Sequence, residues 1–272
     1  MSNETGAEAG LAARAEAVAS FDHQHTPLSR IQHALHSNPA LVPLIVLVLS
    51  IAVFGALLGT KFFSSFALTL ILQQVAIVGI VGAAQSLVIL TAGIDLSVGA
   101  IMVLSSVIMG QFTFRLGLPP AVAVACGLAA GALIGFVNGW LIARIRLPPF
   151  IVTLGMWQIA LATNFLYSGN ETIRAQEIEA HAPLLQFFGR SITVGGAVFT
   201  YGVIFFIVLV LVLAYALRHT AWGRHVYAVG DDPDAAELSG VNTRRVLISV
   251  YVLSGLICAF AGWVLIGRIG SV

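Results

Sequence analysis

The 272-residue sequence is 58% hydrophobic and only 9% charged, against about 25% charged residues in an ordinary soluble domain; a soluble globular protein is excluded and a membrane-embedded chain is predicted. A formal net charge of +1, with arginines spread along the chain, offers no basic patch for nucleic acid. The two cysteines, Cys126 and Cys258, each lie inside a long apolar run and read as small apolar filler, since their spacing suggests neither a disulfide framework nor a metal site.

Residues 1–40 are polar and rich in Ala and Glu, without the apolar core and cleavage site of a signal peptide, and read as a cytoplasmic tail. His23, His25, His33 and His36 fall there at spacings that match no metal pattern. The transmembrane domain is predicted over 41–272. A helical span of about 20 apolar residues crosses the hydrocarbon core. Leu41 to Gly59 meets that length, followed by Phe66 to Leu90, Leu96 to Phe114, and Pro120 to Ile142, which opens on Pro119-Pro120. The fifth span, Phe150 to Tyr167, follows Pro148-Pro149, the sixth runs from Val198 to Leu217 and the seventh from Val246 to Ile266. The fold expected is thus an all-α polytopic transmembrane helix bundle of about seven spans. Residues 169–197 form its periplasmic loop and residues 218–245 its cytoplasmic loop.

With the N-terminus inside, the positive-inside rule places Arg14, Arg30, Arg144, Arg146, Arg218, Arg224, Arg244 and Arg245 in the cytoplasm. Lys61, Arg115, Arg174, Arg190 and Arg268 then lie outside, so the bias supports this orientation. Small residues recur within the spans, notably Gly127, Gly131 and Gly135, and predict close helix packing.

One stretch stands apart: Ile89-Leu-Thr-Ala-Gly-Ile-Asp-Leu-Ser-Val-Gly99 sets a carboxylate among apolar spans, and Asp95 is the only acidic residue between Arg30 and Glu171. An Asp at the centre of a membrane helix costs roughly 2.5–3.5 kcal/mol. Two readings are open. Gly93 can end one helix while Asp95 and Ser97 organise the next, the carboxylate accepting from N–H groups near Ser97 and Val98; alternatively Asp95 and Ser97 meet the transported solute as part of its pathway, or Asp95 titrates as the coupling group of an ion- or proton-coupled secondary transporter. Other intramembrane polar groups, chiefly Gln73, Gln74, Asn138, Gln158 and Asn164, suit a path for a neutral polyhydroxylated solute, and equally suit hydrogen bonding between helices.

Enzymatic chemistry finds no support, because no histidine or second carboxylate accompanies Asp95 within the spans. The single lysine, Lys61, lies outside any phosphate-binding loop pattern, so the chain does not bind ATP by itself. In the cytoplasmic loop, Asp231-Asp-Pro-Asp-Ala-Ala-Glu-Leu-Ser-Gly240 reads as a short helix with Asp232 as N-cap, Pro233 in its first turn and Gly240 at its C-terminal end. So short a helix needs its own spans or a partner protein to pack against.

Four ordered motifs carry a family resemblance: Gly93-Ile-Asp-Leu-Ser-Val-Gly99, Asn138-Gly-Trp-Leu-Ile-Ala-Arg144, Leu147-Pro-Pro-Phe-Ile-Val-Thr-Leu-Gly-Met156, and Thr220-Ala-Trp-Gly-Arg-His-Val-Tyr-Ala-Val-Gly230 continuing through Ala235-Ala-Glu-Leu-Ser-Gly240. From about Leu41 onward the chain resembles the membrane subunits of ATP-binding cassette importers for ribose, xylose, fructose and similar monosaccharides. The resemblance implies a multi-pass permease of the bacterial inner membrane, working as a pair. Its implied partners are two cytoplasmic ATPase subunits, which carry ATP and Mg, and a periplasmic sugar-binding protein. It also implies that Asp234, Ala235, Ala236, Glu237, Leu238, Ser239 and Gly240 form the helix coupled to the ATPase. Members of the family continue past the region of Arg268 into further spans, so a C-terminally truncated chain is expected.

Overall fold

The computed structural model describes residues 40–194 and 197–272, so the predicted cytoplasmic tail, with His23, His25, His33 and His36, lies outside the described residues. Two compact units are described separately. In the first, α1 (Leu41–Leu58) is apolar all round, as a helix bathed in lipid is, and ends at Gly59 with φ 57°. A short 3-10 turn, Gly59–Lys61, follows, and the Phe62 ring stacks on Phe54 at 6.1 Å.

The second unit comprises α2 (Ser65–Leu90), α3 (Val98–Phe114), α4 (Pro120–Ile145), α5 (Pro149–Ser168), α6 (Ala175–His181), the hairpin β1 (Ser191–Val194) and β2 (Ala197–Thr200), α7 (Tyr201–His219), α8 (Ala221–Asp231), α9 (Pro233–Leu238) and α10 (Thr243–Ile269). Prolines open α4 and α5, where a missing N–H costs no hydrogen bond, and Ser64 caps α2 by accepting from the Ala67 N–H at 3.2 Å. Among the described residues, six helices are long and apolar enough to cross a membrane: α1, α2, α4, α5, α7 and α10. The predicted third span is the exception, because α3 has 17 residues and begins two positions later than expected.

The centre of this unit is α10, which packs against α4, α3 and α2 and carries the long run of buried residues from Val246 to Ile266. Its crossing with α4 is close because glycines stand there. A Cβ at Gly131 would lie 2.6 Å from Gly255 O, and one at Gly139 would lie 2.9 Å from Ile248 Cα. These glycines recur every fourth residue on one face of α4 and let the two backbones approach, as the sequence predicts for packing in lipid.

The chain alternates between two ends. At one, Arg115 Nη1 and Nη2 donate to the Tyr167 and Ser168 carbonyls at 2.8 and 3.2 Å, so α3 and α5 finish together. That end also holds Arg174, Arg190 and Arg268, while Arg144, Arg146, Arg218, Arg224, Arg244 and Arg245 gather at the other, which is cytoplasmic by the positive-inside rule.

The outer loop departs most from expectation. Residues 169–197 read as a polar excursion, yet Ile173, Ile178, Ala182, Leu185 and Phe188 are buried, and the first four form a second apolar core with Met109, Val124 and Ile266. The hairpin also delays α7, which starts at Tyr201 rather than Val198; Thr69 Oγ1 of α2 accepts from the Val198 N–H at 3.1 Å and fixes its edge.

Candidate functional site

The stretch around Asp95 is not the middle of a helix. It is the turn by which α2 returns as α3, and it is set back from the cytoplasmic end of the bundle. Asn138, which lies level with it, stands two turns, or about 10 Å, before the end of α4. The recess explains why α3 is short.

Residue by residue, α2 ends in a double hydrogen bond of the Schellman type: Gly93 N–H donates to Val88 O at 3.0 Å and Ala92 N–H to Ile89 O at 2.9 Å. The left-handed residue is Ala92, with φ 56°, rather than the expected Gly93. Gly93 is required for space instead, because a Cβ there would lie 2.8 Å from the Tyr251 hydroxyl of α10. Thr91 Oγ1 also donates to Val88 O, at 2.9 Å.

Beyond the turn, Asp95 Oδ1 accepts from the Ser97 N–H at 2.8 Å and from Ser97 Oγ at 2.6 Å, and Asn138 Nδ2 donates to Ser97 Oγ at 3.0 Å. Asp95 is 3% exposed, while Ser97 and Asn138 are 0% exposed. The carboxylate thus precedes α3 and faces the positive end of its dipole; of the N–H groups near Ser97 and Val98 that one sequence reading expects it to bind, it holds that of Ser97. Thr153 Oγ1 donates to Pro149 O at 2.9 Å and stands 3.3 Å from Ile94 O, which ties the start of α5 to the same segment.

Three of the predicted pathway residues, Asp95, Ser97 and Asn138, are therefore brought together in one buried hydrogen-bonded chain, in which Asn138 Oδ1 has no partner. The other four are not. Gln73 and Gln74 lie on α2, half-buried and exposed, whereas Gln158 and Asn164 lie on α5, exposed and half-buried. Helix α5 packs on α3 and α4, and α2 on α7 and α10. Asn164 Oδ1 is a buried atom without a hydrogen-bond partner.

The cytoplasmic loop contains more structure than the sequence showed. Helix α8 precedes the predicted short helix and lies on the bundle: Val226 and Val229 are buried, Trp222 Nε1 donates to Ser249 Oγ of α10 at 2.8 Å, and Thr220 caps it by accepting from the Gly223 N–H at 3.1 Å. Its apolar residues are interleaved with Arg224, His225 and Asp231, which hid it as a polar loop.

Helix α9 matches its prediction. Asp232 Oδ1 accepts from the Asp234 and Ala235 N–H groups, each at 3.0 Å, Pro233 occupies the first turn, and Gly240 has φ 85°. Of the predicted coupling residues, Ala236 is buried against the bundle while Asp234, Ala235, Glu237, Ser239 and Gly240 are exposed, and Leu238 is 91% exposed. Two residues to which the sequence assigned no role of their own are Tyr251 and Gly230; their signal was helical spacing from Tyr251 through Ser254 to Cys258, and a glycine inside an amphipathic segment.

Among the described residues, no group of His, Cys, Asp and Glu is placed to hold a metal ion. A family described as the permease component of branched-chain amino acid transport systems matches residues 67–272. The fructose import permease protein of Rhizobium meliloti is 73% identical over 256 residues, covering 94% of this chain and 71% of that protein. The ribose import permease protein of Escherichia coli is 34% identical over 239 residues, covering 87% of this chain and 71% of its own length. The autoinducer 2 import system permease protein of Escherichia coli is 32% identical over 241 residues, covering 88% and 67%. No solved structure matches the chain. The spans, the return turn at Asp95 and these relatives agree: the chain belongs to this family of permease components, as a multi-pass inner-membrane transport subunit of an ATP-binding cassette importer, in which a separate subunit hydrolyses ATP.

Proposed function

We propose that the solute is a monosaccharide, with fructose the first candidate, and that the membrane pathway forms between two copies of this chain. The relative at 73% identity, a fructose import permease, supports the sugar. The intramembrane amides support the solute class, since Gln and Asn offer donors and acceptors without charge. Gln74 and Gln158 are exposed and Gln73 and Asn164 half-buried on their helices, and these four are the proposed pathway residues. Asp95, Ser97 and Asn138 are assigned to the framework that shapes the return turn.

The observation that carries the partner reading is Leu238. Leu238, 91% exposed on a short capped helix at the cytoplasmic end, offers an apolar side chain that a groove on another protein can cover. We assign α9 to the groove of a cytoplasmic ATPase that binds ATP and Mg, with the sugar-binding protein docking at the opposite end. The test is ATP hydrolysis by the complete complex in proteoliposomes, with binding protein loaded in turn with fructose, ribose and xylose. Stimulation by the fructose-loaded form beyond the other two is the expected result. Equal rates with all three, or with none, would overturn the sugar assignment.

A further inference from the structure

Two elements leave α9 in opposite directions along the chain, and both bear on the same four residues. On the N-terminal side, α8 is joined to α9 through Asp232 alone and brings Gly230 onto the end of α2: a Cβ at Gly230 would run into Leu90 O and lie 3.3 Å from Thr91 Cα. On the C-terminal side, the Val241 N–H donates to Ala236 O at 3.0 Å, and Asn242 Oδ1 accepts from the Arg245 N–H at 3.0 Å, so α9 is fastened to the start of α10. Two turns further along α10, Tyr251 sets its hydroxyl against Gly93. Between these two contacts lies the Schellman turn, held in a left-handed conformation by an alanine.

We propose that the turn from Leu90 to Gly93 is the joint through which movement of α9 reaches the membrane spans, with Gly230 and Tyr251 as its positioning residues. The proposal rests on the reading of α9 as the ATPase seat. The physical basis is backbone contact. At Gly230 no side chain lies between α8 and the carbonyl of Leu90, so a displacement of α8 is not absorbed by a rotamer change. The same displacement, carried by α10, moves Tyr251 against Gly93. The turn is the one point where α2 can respond without breaking a helix, because the segment from Gly93 to Ser97 is already non-helical. Its downstream end is the Asp95, Ser97 and Asn138 set, so the start of α3 and the wall of α4 move with it.

The reporter is Ile94→Cys, since Ile94 is 50% exposed immediately after the turn; the parent chain measures background from Cys126 and Cys258. In the complete complex, its rate of labelling by a membrane-permeant maleimide is compared without nucleotide and after trapping with ATP and vanadate. A difference of at least about threefold is expected for a turn that exchanges two arrangements during the cycle. Adding Gly230→Ala should abolish that difference while the ATPase still copurifies and keeps its basal hydrolysis. As a second route, Gly93→Ala should abolish it too, and Tyr251→Phe in the same chain should restore at least part of it by removing the hydroxyl, the nearest atom to the added Cβ, while Val88 Cγ1 at 3.0 Å can turn aside. An unchanged difference in Gly230→Ala, a lack of rescue by Tyr251→Phe, or equal labelling in both nucleotide states of the reporter would overturn the joint. Leu238→Asp tests the reading beneath it: the ATPase should no longer copurify, and if it does, with the labelling difference intact, the assignment of α9 fails independently of Gly230.

Discussion

At the scale of single residues, Asp95 is the test of how an expensive group is accommodated. Its Oδ1 holds both the Ser97 N–H and the Ser97 hydroxyl, so Asp95→Ala leaves buried polar groups unpaired and should destabilise the protein by about 1–3 kcal/mol. Asp95→Asn keeps an oxygen in that position and should cost less. Thermal unfolding in detergent ranks the two, and equal losses would show that the side-chain acceptor does not matter. The isosteric variant should also retain uptake, whereas a transporter that titrates Asp95 would lose it. At Ala92 the prediction has the opposite sign. A left-handed alanine costs roughly 1–2 kcal/mol relative to a right-handed conformation, and Ala92→Gly relieves most of this against a smaller loss of chain entropy. An increase in melting temperature is expected, and a decrease would contradict the strain assigned to the turn.

At the scale of elements, the close crossing of α4 and α10 organises the bundle. Gly131→Leu forces a side chain into the backbone of α10 at Gly255, and overpacking typically costs about 1–3 kcal/mol, occasionally more. Here the obstacle is a carbonyl on a central helix rather than a flexible side chain, so the upper end applies. Loss of monodisperse protein on gel filtration is expected, while normal accumulation would show that the crossing yields. This crossing was legible in the sequence, because glycines at Gly131 and Gly135 within an apolar run have few other uses in lipid. The spans and α9 were legible for similarly local reasons: hydrophobic length, paired prolines, and an Asp232-Pro233 start with Gly240 beyond the end. What escaped was set by tertiary contact. Helix α8 is held by Trp222 on Ser249 and by burial of Val226 and Val229, and the outer loop is held by a core whose members come from α3, α4, α10 and the loop itself. The site shows the same division. The sequence marked Asp95, Ser97 and Asn138 as unusual, but only the fold shows that they close on one another and that Tyr251 stands over Gly93.

At the scale of the whole molecule, the cytoplasmic end carries the larger share of the arginines, the recessed turn and a capped helix with one bare leucine, while the outer end carries a packed loop and hairpin. Such asymmetry fits a subunit driven from one side and supplied from the other. The most direct measurement is uptake of radiolabelled fructose into proteoliposomes holding this chain with its ATPase and binding protein, with and without ATP and Mg on the ATPase side, and with and without a protonophore. The account predicts accumulation that requires ATP and is indifferent to the protonophore. Uptake that proceeds without ATP and collapses with the proton gradient would contradict it.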